Sequence, residues 1–254
     1  MYTNIIVGYG GGDEGAEALS LAEALRADGG TITPIRLAGD PDDPQELHRH
    51  MGESGADLLV VGSSYRDQIG MTLTRTAGRA LLCGSRCPVA VAPSGFRAGA
   101  TGGPRVIAVA LENEDEGLHA VDEAVRLAGS APVELRLLCL VPPLAQWARG
   151  AGSEAGYGPG DVERHHLRPF AQMLDRAVEA IPPGVSIEAR MLEGRPAPTL
   201  LRELRSGVDL LVMASPGVRP IASVRPGATA LAAMSRSPCP VLLTPTGVRA
   251  TSPR

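Results

Sequence analysis

Ala56-Asp57-Leu58-Leu59-Val60-Val61-Gly62-Ser63 recurs as Val208-Asp209-Leu210-Leu211-Val212-Met213-Ala214-Ser215, and Cys87-Pro88-Val89-Ala90-Val91-Ala92-Pro93 recurs as Cys239-Pro240-Val241-Leu242-Leu243-Thr244-Pro245. Both pairs are offset by 152 residues (208 − 56 and 239 − 87). An ungapped correspondence over that span, with an apolar strand at each end and a helix-like segment between, marks a duplicated unit. Runs as apolar as Leu58–Val61 read as strands covered on both faces, the kind found in parallel sheets.

Outward from the repeat, strands and helices alternate. Asn4–Tyr9, Thr31–Leu37, Asp57–Val61 and Val89–Ala92 read as strands of the first unit. Ala16–Arg26, Gln45–Ser54 and Thr72–Cys83 read as its helices. In the second unit the strands are Val106–Leu111, Val133–Val141, Ser186–Leu192, Asp209–Met213 and Val241–Thr244. Its helices are Glu116–Leu127, Val162–Ala180, Pro198–Ser206 and Gly227–Met234. The first strand precedes Asp57 by 52 residues in one unit and Asp209 by 103 in the other, so the first unit lacks about one helix-strand step. Residues 94–104 are rich in glycine and without hydrophobic periodicity, and read as a linker between domains 1–93 and 105–247. The expected fold class is α/β, with two domains that each hold a mainly parallel sheet flanked by helices. In such sheets ligands bind beyond the carboxyl ends of the strands.

Composition narrows the function. Of the 254 residues 44% are hydrophobic, enough for two cores, and the net charge of −4 offers no basic field for nucleic acid. All 24 basic residues are arginine, scattered among acids. No apolar run approaches the roughly 20 residues that cross a bilayer, and no leader precedes the first strand, so a cytoplasmic protein without membrane contact is expected. Cys83, Cys87, Cys139 and Cys239 read as small core residues rather than a disulfide scaffold.

Few motifs carry chemistry. Gly10-Gly11-Gly12-Asp13-Glu14-Gly15 has the spacing of a dinucleotide fingerprint, but Asp13 and Glu14 would repel a pyrophosphate at the helix N-terminus. His165 and His166 point about 100° apart on a helix and cannot share a metal ion, and His48 and His50 read as solvated. No Ser-His-Asp order or carboxylate pair emerges, so neither an enzyme nor a metal site is expected.

The turn after the apolar strand in each unit resembles the universal stress protein family. Strand, Gly-Ser, a glycine-containing loop, a helix and Cys-Pro-Val are its pattern, and nucleotide-binding members carry G-x2-G-x9-G-[ST] there. Backbone amides of such a loop face phosphates, and glycine lets them approach. The first unit keeps Gly62, followed by Ser63, and the hydroxyl of Thr76, with Tyr65 and Arg75 replacing two glycines. The second keeps Gly217 and Gly227, with Ala214 and Ser215 at the start and Ala228 in place of the hydroxyl. The family's strand-end aspartate, which holds the adenosine part, falls on Gly10 and Leu111, with Glu112 one residue later.

The resemblance implies a stress-response or regulatory protein, built as a pseudo-dimer within one chain. Val89–Ala92 and Val241–Thr244 would pair across its two-fold axis, and the prolines flanking both strands would keep these edges short. Adenine-nucleotide (ATP) binding is expected to be weak or absent. An unidentified protein partner and a homodimer are further expectations. The alternatives are an ATP/AMP-binding module working through the second-domain loop and, third, a nucleotide hydrolase of related fold.

Overall fold

A computed structural model gives the structure of the chain and describes residues 1–9, 14–36, 44–62, 85, 87–99, 103–129, 131–144, 159–215 and 227–245. Its strands are β1 (Tyr2–Tyr9), β2 (Arg26–Arg36), β3 (Leu58–Gly62), β4 (Val89–Ala92), β5 (Val106–Leu111), β6 (Glu134–Val141), β7 (Ser186–Glu193), β8 (Leu210–Ser215) and β9 (Val241–Pro245). The helices are α1 (Glu14–Leu25), α2 (Pro44–Ser54), α3 (Glu114–Ala128), α4 (Pro159–Glu179), α5 (Pro196–Glu203) and α6 (Ala228–Arg236). The expected helix Thr72–Cys83 lies outside the described residues.

All nine strands join one sheet in the order β2-β1-β3-β4-β9-β8-β5-β6-β7. Pairing is parallel throughout except between β4 and β9, which run antiparallel with Ala90 opposite Leu242. That is the pairing the resemblance implied. β4 and β9 are central rather than edge strands, however, so their flanking prolines protect no edge. Sheet protection falls to β2, which carries Pro34, and to β7, where Glu188, Arg190 and Glu193 make a charged rim.

The two halves share local chemistry as well as order. Asp57 accepts the backbone N–H of Thr3 and Asn4 (2.8 and 2.9 Å), and Asp209 accepts those of Arg105 and Val106 (both 2.9 Å). Each aspartate therefore stands just before its apolar strand as a clamp on the neighbouring strand, whereas the expected strand includes it. Ser85 bonds the carbonyl of Cys87 as Ser237 bonds that of Cys239. Ile5 pairs with Leu58 as Ile107 pairs with Leu210. By that register Tyr9 corresponds to Leu111, and Gly10 to Glu112.

Helices cover both faces of the sheet. One face packs Leu21 and Leu25 of α1, Val121 and Ala124 of α3, and Met173 of α4 against strands of both halves in a single apolar cluster. The other packs Met51 of α2, Leu200 of α5 and Leu204 just after it, and Ala233 of α6. The halves also meet at the start of the chain. There the Tyr2 hydroxyl donates to Glu123, the Arg126 guanidinium lies 4.3 Å over the Tyr2 ring, and Arg126 bonds the Met1 carbonyl at 3.0 Å.

Two expectations change. β2 begins at Arg26, five residues before the expected start, because Arg26 already pairs with Tyr2; the register then shifts before Thr31 pairs with Asn4, with Gly29 at a φ of +74° inside the shift. The linker is a packed strap as far as Gly99. Glu17 of α1 accepts the Gly95 N–H, Ser20 accepts the Ala98 N–H at 2.7 Å, and Phe96 rests on the core.

Cys87, Cys139 and Cys239 are free and buried, and burial pushes their thiols up to about 12, 12 and 11. They act as core residues; Cys83 lies outside the described residues. No helix among the described residues is long and apolar enough to cross a membrane.

Candidate functional site

The carboxyl ends of β5 and β8 lie side by side in the second half, and α6 starts beside them. β8 is buried at every residue but Ala214, with α3 on one face and α5 and α6 on the other, and it delivers Ser215 to this rim as a buried residue. Gly227 is the N-cap of α6 with φ −56° and ψ 157°, and makes no side-chain cap. The helix therefore directs its first backbone N–H groups, and the positive end of its dipole, toward the rim. Ala228, the first helical residue, is exposed and brings no hydroxyl. Thr229, one position later, is buried and supplies one beside Glu112.

Glu112 follows β5 directly. A Cβ placed on Gly227 would lie 3.9 Å from its Oε2, so its carboxylate reaches the α6 N-terminus although part of the side chain is exposed. Burial raises its carboxyl above the ordinary value, the Thr229 hydroxyl opposes that shift, and the Glu116 carboxylate adds to it. Asn113 caps α3, its Oδ1 accepting the Glu116 N–H at 3.0 Å while its side-chain N–H donates to the Glu116 Oε2 at 2.8 Å. The strand-end carboxylate expected at Leu111 is thus one residue further on. Leu111 is fully buried, and its Cδ2 would lie 3.1 Å from a Cβ on Gly117, so no carboxylate could project from that position into the turn.

The first half is arranged differently. Gly62 ends β3 as a buried residue, and the Tyr9 side chain would stand 3.3 Å from a Cβ on Gly15. The last glycine of the fingerprint-like stretch thus makes room for the tyrosine. Ser63, Thr76 and Gly217 lie outside the described residues, as do Tyr65, Arg75 and Gly10–Asp13. Of the expected ligand residues, the structure brings Gly227 and Ala228 to one helix start, near the strand end that carries Ser215, and places Gly62 in the other half.

Sequence reading missed Thr229 and His166. His166 is buried, 2% exposed, with Nε2 2.8 Å from the Pro142 carbonyl at the end of β6 and its ring edge-on to Phe170 at 6.0 Å. Its signal was present in the helical spacing of His166, Phe170, Met173 and Ala177 on the buried side of α4. His166→Phe should keep the ring packing but remove the contact to Pro142, costing about 1–2 kcal/mol in urea unfolding. An unchanged midpoint would show that this contact adds nothing.

A separate cavity of about 240 Å³ lies at the opposite, amino end of the second-half strands, between Leu21, Phe96, Arg97, Asp209 and Pro240. Among the described residues no group of three or more His, Cys, Asp or Glu could hold a metal ion.

Helices on both faces of a mostly parallel sheet, with a helix N-terminus at the strand ends, define an α/β protein of open-sheet architecture. The sequence model of the universal stress protein family matches residues 104–245, more than half of the chain, and the chain belongs to that family. Three solved structures share its fold. A Pseudomonas aeruginosa UCBPP-PA14 protein provisionally assigned to the same family is 17% identical, with a TM-score of 0.58 over 96% of this chain and 82% of that one. A functionally unknown protein from Pseudomonas aeruginosa PAO1 is 17% identical, with a TM-score of 0.55 over the same shares of both chains. A universal stress protein from Archaeoglobus fulgidus DSM 4304 is 18% identical, with a TM-score of 0.53 over 85% of this chain and 70% of that one. No curated protein matches the sequence.

Proposed function

We propose that the chain is a tandem pair of universal-stress-type units, 1–93 and 105–247, serving a stress-response or regulatory role. In this reading the second unit holds an adenine nucleotide weakly and the first has given up its site. The role is one of binding, with no catalytic step assigned. The observation that carries it is the start of α6 at Gly227, a residue that brings no side-chain cap of its own, beside the ends of β5 and β8. The N–H groups of a helix N-terminus are ready donors to a phosphate oxygen. The Tyr9 side chain against Gly15 supports the loss in the first unit. Because β4 and β9 pair within the chain, pairing of two copies into a homodimer would need other surfaces.

Gly227→Asp tests the location. The backbone angles at Gly227 suit any residue, its Cβ would meet nothing closer than 3.9 Å among the described residues, and aspartate is a good N-cap. The variant should lose at least tenfold in ATP affinity by calorimetric titration, with a thermal melt to check that it folds beside the Glu112 carboxylate. Undiminished ATP binding would place the site elsewhere.

A further inference from the structure

We propose that β7 is a docking edge for a second copy of this chain. Two β7 strands pair antiparallel about a two-fold axis at Ala189, joining two nine-stranded sheets into one.

The backbone sets which groups the edge offers. Successive residues of a strand turn their N–H and C=O to alternate sides. The Glu134 N–H donates to the Arg105 carbonyl at 2.8 Å, on the β5 side, and the Val141 carbonyl accepts the Gly194 N–H at 2.9 Å, on the β7 side. With Val141 opposite Glu193, the residues of β7 that turn their backbone groups to β6 are therefore Glu188, Arg190 and Leu192. Ile187, Ala189, Met191 and Glu193 turn theirs outward. β7 is the last strand of the described sheet, and no proline interrupts that row. The opposite edge differs. Thr31 pairs with Asn4 as Glu134 pairs with Val106, so Pro34 of β2 stands where Leu137 stands in β6, and the outward row of β2 lacks a donor there. β4 and β9, already joined within the chain, offer no edge at all.

Side chains say what fits this edge. Ile187 and Met191 lie on the face of Leu135 and Cys139, their neighbours on β6, and are 36% and 37% exposed although large and apolar. On the other face Glu188 and Arg190 carry opposite charges and bond each other, while Arg190 also meets Glu203 at 2.7 Å and Glu188 meets Arg136 at 3.1 Å. An axis at Ala189 sets Ile187 against Met191 of the second copy, and Glu188 against Arg190 of the second copy. The outward residues then form the hydrogen-bonded pairs, and the charged residues form the non-hydrogen-bonded pairs, in which opposed side chains lie closer. An axis at Glu188 or at Arg190 puts like charges face to face, which is destabilising. Charges that blunt β7 against an arbitrary strand are thus complementary to themselves in one register. The apolar pairs select the same register, and self-match of this kind is what a two-fold contact requires.

Sedimentation velocity of the full chain between about 1 and 200 µM tests this. The parent should pass from one chain to two, with a dissociation constant on the order of 10 µM, as befits a small interface. Glu188→Lys and Arg190→Glu each oppose like charges across the axis and should self-associate at least tenfold more weakly. Mixed in equal amounts, these two variants oppose unlike charges at both pairs and should associate within threefold of the parent. Ala189→Glu, at an exposed position outside the ion pairs, should weaken association at least tenfold and serves if a charge reversal fails to fold in a thermal melt. A parent that stays monomeric throughout, an Ala189→Glu variant that associates like the parent, or folded charge variants that stay apart when mixed would overturn the proposal.

Discussion

Leu242→Ala should lower the stability of the whole chain by about 3 kcal/mol, since truncating a fully buried leucine removes its transfer energy and leaves a cavity. Leu242 is 0% exposed and sits opposite Ala90 in the β4–β9 seam. Its cluster contains Val60 and Ala90 from one half and Val109 and Val212 from the other. A void there is therefore felt on both sides. Denaturant unfolding followed by circular dichroism should show a single transition moved to lower denaturant. Two transitions, with only one displaced, would mean that the halves hold together independently of the seam.

Gly194→Ala should cost about 2–3 kcal/mol through backbone strain and a steric clash together. Gly194 has a φ of +146°, and a Cβ there would stand 2.5 Å from the Thr199 Oγ1. Thr199 is buried in the first turn of α5 and cannot move aside cheaply. Gly194 also donates its N–H to the Val141 carbonyl at 2.9 Å, linking the exits of β6 and β7. Gly184, at φ +96° with nothing within 4 Å of a Cβ, is the comparison. Gly184→Ala meets the backbone strain without the clash and should cost clearly less in the same urea titration. Equal losses would show that the contact with Thr199 adds nothing.

Much of this architecture was legible in the chain because its central strands are buried on both faces. Leu58–Val61 and Leu210–Met213 cannot be read as amphipathic elements, and the fixed offset tied each to its Cys-Pro-Val partner strand. Positions governed by single contacts were harder to see. The offset of 152 does not extend to the first strand of each unit, so Gly10 was aligned with Leu111 instead of Glu112, one residue beyond. That slip leaves Glu112 one residue beyond the expected strand-end position. The strap 94–99 looked like a tether because its attachment is made by backbone N–H groups on Glu17 and Ser20, which leave no periodicity behind. Likewise β2 starts early through the pairing of Arg26 with Tyr2 ahead of a register shift, a property of backbone conformation rather than hydrophobic pattern.

The account depends most on the second unit holding its ligand at the start of α6. Backbone amide shifts of the isotope-labelled chain, followed by nuclear magnetic resonance during titration with millimolar ATP, test this directly. The expected changes centre on Glu112, Gly227, Ala228 and Thr229, with Tyr9 and Gly62 unmoved. Changes confined to the first half, or no change at all, would contradict it.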